Sequence, residues 1–182
     1  VRYTRDQRDF ELTQSAPAAP PANVRQQAES TFSKTTFKVG FDHRLTDEAL
    51  VYVQTSTGFK SGLYNTQALQ SVPGQPASVP LAVNPEKITA YELGLKSDWL
   101  DNRLRANFSA YTYSYKDQQV NAFIGTVRTL LNAASSKIRG LDFDILARAS
   151  EELTLTWSGS YLHARYESFP TAPLFTPTPA PG

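Results

Sequence analysis

Cysteine and methionine are both absent from the 182 residues of the sequence. The lack of cysteine excludes a disulfide scaffold, thiol catalysis and a Cys-ligated zinc or iron–sulfur site. The longest aliphatic run falls far short of the roughly 20 residues that a transmembrane helix needs. Basic and acidic residues number 18 and 17 and are spread along the chain, so nucleic acid is not expected as a partner.

Apolar residues are also scarce, at 40% of the chain, whereas aromatic residues are plentiful, with nine Tyr, ten Phe and two Trp. This composition favours a sheet with one apolar face over a domain with a solid core. The chain opens on Val1 within a strand-like segment and shows no signal peptide, so we expect a fragment of a longer protein.

Apolar and polar side chains alternate with a period of two over several long segments. In one of them, Leu93 and Leu95 share one face while Glu92 and Lys96 share the other. Such segments exceed the about 5–6 residues of a typical soluble strand. The predicted strands are residues 33–43, 49–60, 88–99, 103–118, 136–149 and 153–166, with a weaker seventh at 1–12.

The connections alternate between short ones, at 44–48, 100–102 and 150–152, and long polar ones, at 13–31, 61–87 and 121–133. Antiparallel strands then place every long loop at one end of the sheet. Tight turns at one rim, long loops at the other and an apolar outer stripe are typical of bacterial outer-membrane barrels. We therefore predict an all-β, antiparallel transmembrane β-barrel segment with short periplasmic turns and long extracellular loops.

Three segments, residues 50–65, 84–120 and 132–166, resemble the C-terminal barrel of TonB-dependent outer-membrane receptors. The resemblance is most specific in four pieces. They are GFKSG at 58–62, PE followed by YELGLKS at 85–97, YKDQQV at 115–120 and NAASSKIRGLDFD at 132–144.

This resemblance implies that the seven strands belong to a barrel of roughly 22, closed by an N-terminal plug domain. It further implies an outer-membrane receptor, not an enzyme and without a cofactor, that takes up a scarce ligand such as a ferric siderophore or other iron complex. The TonB complex would supply the energy through the plug. Residues 1–182 are expected to be partial barrel, with the plug and the authentic C-terminal strand absent, since the chain ends in the Pro-rich FTPTPAPG.

Two of the predicted extracellular loops supply candidate contacts for the small-molecule ligand, because binding residues are often carried on loops held by a rigid scaffold. One loop holds Tyr64, Gln67, Gln70 and Gln75, and the other holds Asn121, Phe123 and Arg128.

The turn at 150–152 predicts a strand register in which Arg139 faces His163 and Lys137 faces Arg165. Lys137, Arg139 and Arg165 would then form an outward positive cluster near the extracellular rim, where lipopolysaccharide phosphates lie. The alternative is that these side chains simply stand in water or snorkel. Trp99, beside a short turn, is expected at the periplasmic interface with lipid.

Two other sets of polar residues have ordinary explanations. Asp142 and Asp144 share the polar face, and a water-filled lumen explains them better than an acid/base pair or a metal site. His43 and His163, the two histidines, are placed at opposite ends of the strands and cannot share a metal ion.

Two other functions remain open from the sequence: a passive porin-like channel, and a soluble β-sandwich or carbohydrate-binding module. A sandwich would bury its apolar faces against each other. The transporter hypothesis therefore fails if one compact centre gathers Phe37, Leu93, Phe108, Phe143 and Trp157.

Overall fold

The computed structural model describes residues 1–15, 23–70, 79–124 and 127–169. Helices long and apolar enough to cross a membrane are absent from these ranges. The described strands are β1 (Arg2–Ser15), β2 (Asn23–Thr36), β3 (Lys38–Arg44), β4 (Ala49–Lys60), β5 (Leu63–Gln70), β6 (Val79–Val83), β7 (Glu86–Trp99), β8 (Leu104–Ile124), β9 (Val127–Arg148) and β10 (Thr154–Ser168).

All strand pairs are antiparallel, and the main sheet has the order β10-β9-β8-β7-β4-β3. Strand β1 pairs with β2, which is separated from β3 by Phe37 alone. The Phe37 amide donates to Thr57 Oγ1 at 3.1 Å and the Phe37 carbonyl accepts from the Thr57 amide at 2.9 Å. The chain is thus an open meander of the seven predicted strands, with β2 and β3 in line, and one added hairpin, β5–β6.

The strand bounds agree with prediction within the amphipathic stretches and differ beyond them. Strand β4 spans the predicted residues 49–60, but residues 121–133, expected to be a loop, lie mostly in β8 and β9. Likewise β1 and β2 extend into the predicted link 13–31, and β5 and β6 occupy the link 61–87. Backbone pairing continues beyond the amphipathic stretch because it needs no hydrophobic alternation.

The sheet is one layer thick, and its apolar face is not covered. Phe37, Leu93, Phe108 and Trp157 are 40%, 54%, 46% and 66% exposed, and Phe143 is half-buried. In a soluble sandwich these five residues would have been buried together in a compact centre. The sandwich alternative is therefore wrong for the part of the chain described by the structure.

Cross-strand pairing arranges the apolar face in rows. One row crosses the sheet as Val53, Leu93, Ala110, Leu141 and Tyr161. The opposite face is polar and carries the rows that contain Gln54, Glu92, Asn107 and Asp144. We call these the outer face and the lumen face.

Aromatic residues bracket the apolar rows of the outer face. Trp99, 39% exposed, ends β7 beside the turn at 100–103, while Tyr91 lies toward the other end of the same strand. The eight-residue interval between them spans about 27 Å along the strand, or about 20 Å along the normal at the usual barrel tilt. That height and the two aromatic positions match an outer-membrane barrel wall.

Aromatic rings cover glycines across neighbouring strands. Tyr52 of β4 lies over its partner Gly94, and Tyr111 of β8 lies over its partner Gly140, so closely that a Cβ at either glycine would collide with the ring. These contacts fix the register on the lumen face, because no other residue at the glycine positions leaves room for the ring.

Candidate functional site

Burial is concentrated at one end of the sheet, which we call the hairpin end: the region where the hairpins β1–β2, β5–β6 and β8–β9 meet. Val83 of β6 is only 1% exposed. Four residues on the other strands of this end are also buried: Asn65 of β5, Ala122 of β8, and Thr129 and Ala134 of β9. The opposite end, the turn end, carries the connections at 45–48, 100–103 and 149–153. The hairpin end is therefore where the chain packs against itself.

The β5–β6 hairpin is held between its two neighbours. On one side the Tyr64 hydroxyl lies 2.7 Å from Ser30 Oγ of β2, and its ring lies 5.9 Å from that of Phe10 of β1. On the other side Asn65 Nδ2 donates to the Leu130 carbonyl of β9 at 3.1 Å. The hairpin therefore joins the two flanking hairpins into one assembly.

Asn132 of β9 forms the centre of a hydrogen-bonded network at this end. Its Oδ1 accepts from the Asn84 amide at 2.6 Å, and its Nδ2 donates at 2.8 Å to the carbonyls of both Asn84 and Asp117. One side chain thereby links the segment before β7, strand β8 and strand β9.

Gln119 of β8 adds the second half of the network. Its Nε2 donates to the carbonyls of Ser61 at 2.8 Å and Asn84 at 3.0 Å, and its amide donates to Glu86 Oε2 at 2.9 Å. We refer to Asn84, Glu86, Asp117, Gln119 and Asn132 together as the polar clamp.

A β-bulge supplies the geometry of the clamp on β8. The pairing of β8 with β9 shifts register between Tyr115 and Gln119, and Asp117 within that interval has φ = 56°. A bulge re-aims the backbone locally, which turns the Asp117 carbonyl toward Asn132. The Asp117 carboxylate also lies 3.9 Å from Lys87, but both side chains are half-exposed, so this ion pair contributes little.

Six of the seven predicted ligand contacts lie on strands of the hairpin end and not in irregular loops. Asn121 is exposed on β8, and Phe123 of β8 pairs with Arg128 of β9 near the end of that hairpin. Gln67 and Gln70 belong to β5, their side chains lie outside the described set, and Gln75 lies outside the described residues. Tyr64 is half-buried against Ser30.

The lumen face satisfies its carboxylates with hydroxyl groups. Ser160 Oγ donates to Asp142 at 2.5 Å and Ser158 Oγ donates to Asp144 at 2.7 Å. Tyr52 donates to Glu92 at 2.6 Å in the same way. Among the described residues no group of three His, Cys, Asp or Glu side chains could hold a metal ion. The two aspartates therefore each accept a hydrogen bond from a serine of the neighbouring strand β10.

The outward basic residues have the predicted register. Arg139 pairs with His163 and Lys137 pairs with Arg165 across β9 and β10. Arg139 and Arg165 are exposed and Lys137 is half-buried. His43 lies on β3 next to the turn end, opposite Val51, so the two histidines are at opposite ends of the sheet as predicted.

A sequence model of the TonB-dependent receptor-like β-barrel matches residues 1–182. The chain belongs to this family. Proteins of the TonB-dependent receptor family are outer-membrane β-barrels of Gram-negative bacteria, receptors and transporters by class.

Solved structures share the barrel fold at low identity. The ferric yersiniabactin uptake receptor FyuA from Yersinia pestis is 19% identical, with a TM-score of 0.69 over 92% of this chain and 24% of that one. The copper transporter OprC is 17% identical, with a TM-score of 0.60 over 94% and 28%. The alcaligin outer membrane receptor FauA from Bordetella pertussis is 14% identical, with a TM-score of 0.54 over 87% and 26%. The chain thus spans about a quarter of the length of these receptors.

The clamp residues lie within the short segments that carry the resemblance to TonB-dependent receptors. Asn84 and Glu86 belong to the NPE before YELGLKS, Asp117 and Gln119 to YKDQQV, and Asn132 opens NAASSKIRGLDFD. None of the five was predicted as a site residue, because each looks like an ordinary loop amide or acid until the three segments meet. The feature of the sequence that could have pointed to these five residues is that they lie in the short segments most typical of TonB-dependent receptors.

Proposed function

We propose that the full-length protein is an outer-membrane active-transport receptor that takes up a scarce ligand, a ferric siderophore or other iron complex, with energy from TonB. The observation that carries the proposal is the single-layer sheet with an uncovered apolar outer face and a polar lumen face. Only lipid on one side and water or protein on the other solvates such a wall. Family membership supports receptor-type transport over a passive channel.

In this proposal residues 1–182 form part of the barrel wall, and the plug domain and the last barrel strand lie outside them. The plug would fill the lumen and reach the TonB complex of the inner membrane. The turn end would face the periplasm, because outer-membrane barrels place short turns there and longer connections outside the cell. We expect the wall itself to carry out no covalent chemistry and to need no cofactor.

The iron cargo is supported by a fold neighbour that is named as a ferric yersiniabactin uptake receptor. Copper is the competing cargo to be tested, because another fold neighbour is a copper transporter. On this chain the proposed ligand contacts are the exposed Asn121, the cross-strand pair Phe123 and Arg128, and Gln67, Gln70 and Gln75. Tyr64 would position the β5–β6 hairpin and not bind the ligand through its hydroxyl, because that hydroxyl is already hydrogen-bonded to Ser30.

The test expresses the full-length gene in a Gram-negative host that lacks its own siderophore receptors. Uptake of iron-55 is measured with a panel of hydroxamate, catecholate and mixed-donor siderophores, in cells with and without TonB, with copper-64 in parallel. We expect uptake of at least one ferric complex that disappears without TonB. Uptake that persists without TonB would mean a passive channel, and uptake of copper alone would refute the iron cargo.

Ligand contact at the β8–β9 hairpin is tested by binding to the purified receptor. We expect Arg128→Ala to weaken binding of an anionic ferric complex by about tenfold, the loss of one charge-assisted contact of roughly 1.5 kcal/mol. Arg148→Ala, at the turn end of the same strand, is the matched control and should bind normally. Equal affinity in the two variants would remove Arg128 from the site.

A further inference from the structure

The outer face carries a groove centred on Ala110 of β8. Its partners on β7 and β9 are Leu93 and Leu141, and Phe108 lies one row closer to the turn end. Alanine is much shorter than these neighbours, and a cavity of about 520 Å³ lies over it, with an almost wholly apolar lining. A space of this shape and chemistry suits a hydrocarbon chain.

The groove continues toward the hairpin end as a second cavity of about 440 Å³. The two cavities share part of their lining, so they form one continuous groove along the outer face. The second cavity is lined by the shared Leu93, Ala110 and Leu141 and by Tyr91, Thr112, Arg139 and Tyr161. The groove therefore begins among apolar side chains and ends beside a guanidinium group.

Cations continue beyond the end of the groove. Arg139 lies one row past Leu141, and Lys137, opposite Arg165, lies one row further. Since a row is two residues, the cations stand about 7 and 14 Å beyond Leu141 along the strand. Glu167, 4.0 Å from Arg165, offsets part of that residue's charge, so Arg139 and Lys137 are expected to dominate.

The height of this junction matches the boundary between acyl chains and headgroups. Tyr91 and Tyr161, which line the upper groove, are 54% and 65% exposed on the outer face, as expected of an interfacial aromatic girdle. Between Tyr91 and Arg139 lies Thr112, whose buried hydroxyl has no hydrogen-bond partner in the structure. The first groups able to hydrogen-bond a headgroup, the Thr112 hydroxyl and the Arg139 guanidinium, thus lie where the apolar lining of the groove ends.

We propose that this surface binds the lipid A part of lipopolysaccharide, with an acyl chain in the Ala110 groove and phosphates on Arg139 and Lys137, assisted by Arg165. Guanidinium and ammonium groups make strong charge-assisted hydrogen bonds to phosphate. Lipid A combines phosphates with several acyl chains, which is the pair of features that the surface presents. The orientation rests on the proposed function, because only the outer leaflet contains this lipid.

The experiment purifies the full-length receptor and reconstitutes it in bilayers that contain both lipopolysaccharide and phospholipid, then counts bound lipids by native mass spectrometry. Two variants remove the two halves of the site independently: the triple change Lys137→Gln, Arg139→Gln, Arg165→Gln, and Ala110→Leu, which fills the groove. We expect each to lower bound lipopolysaccharide per receptor at least fivefold. Heat-modifiable migration on SDS gels confirms that every variant is a folded barrel.

Matched controls make the same changes elsewhere on the sheet. Lys38→Gln, Arg44→Gln and Lys96→Gln remove three cations from the lumen face, and Ala106→Leu adds the same bulk to β8 two rows nearer the turn end. Both controls should keep bound lipopolysaccharide at the unmodified level.

Three results would each overturn the proposal. They are unchanged bound lipopolysaccharide in either site variant, an equal loss in the control variants, and phospholipid bound in place of lipopolysaccharide on the unmodified receptor. Iron uptake and bound lipopolysaccharide are both measured in the unmodified receptor as well. There, transport without bound lipopolysaccharide refutes this inference alone, and bound lipopolysaccharide without transport refutes the proposed function alone.

Discussion

Removing the Asn132 side chain should open the hairpin end while leaving the rest of the barrel wall intact. Asn132→Ala deletes three hydrogen bonds, one from the Asn84 amide and two to the carbonyls of Asn84 and Asp117. A protein hydrogen bond contributes about 0.5–1.5 kcal/mol net, and Asn84 is partly compensated by water because it is exposed. We therefore expect a local loss of about 2 kcal/mol.

Hydrogen–deuterium exchange on the full-length receptor in nanodiscs measures this loss directly. A decrease of about 2 kcal/mol in the opening free energy corresponds to roughly 30-fold faster exchange. Faster exchange should appear at the Asn84 amide and at the Gln119 amide, which is also held by the clamp. Amides of β7 between Tyr91 and Ser97 pair with β4 and β8 and should be unaffected.

Two further variants sharpen the test. Asn132→Asp keeps the acceptor for the Asn84 amide but replaces both donations with repulsion between oxygens, so its effect should equal or exceed that of alanine. Asn107→Ala, on the lumen face of β8 and outside the clamp, is the control. If exchange at Asn84 stays unchanged in both Asn132 variants, the clamp does not hold the hairpin end.

Two other predictions concern the free energy of unfolding of the full-length receptor in lipid, measured by denaturant titration. Phe108→Arg, on the outer face, should lower it by about 2–4 kcal/mol, whereas Ser109→Arg, on the lumen face, should change it little; equal losses would contradict the face assignment. Gly94→Ala should cost about 1–3 kcal/mol because its Cβ collides with the Tyr52 ring, whereas Gly40→Ala, whose Cβ meets nothing closer than 3.5 Å, should be tolerated; similar behaviour of the two would rule out ring-over-glycine packing.

The strands of the wall could be predicted because their apolar and polar side chains alternate with a period of two. Leu93 and Leu95 alternate with Glu92 and Lys96, and the structure places the first pair on the outer face and the second on the lumen face. The register of β9 with β10 followed from a short turn alone, which leaves little freedom in pairing.

The hairpin end could not be predicted in the same way. Strand β6 (VPLAV) is apolar throughout, and β5 and the outer parts of β8 and β9 mix polar and apolar residues, so none of them shows the long alternation of an amphipathic strand. The clamp is harder still, because it joins backbone carbonyls and amide side chains from segments up to 58 residues apart. Only the pairing of the strands brings Gln119 to Ser61.

The position of the small core follows from what surrounds each part of the wall. In the proposed barrel, lipid would cover the outer face in the middle of the sheet and the lumen contents would cover the other face, so the chain would have no need to bury Leu93 or Phe108 against itself. Beyond the apolar rows neither medium covers the strands, and there Val83 and Asn65 are buried by neighbouring hairpins. In the proposed receptor, packing and the clamp would position the ligand-contacting side chains at this end, so we expect sequence changes at the hairpin end to alter binding most directly.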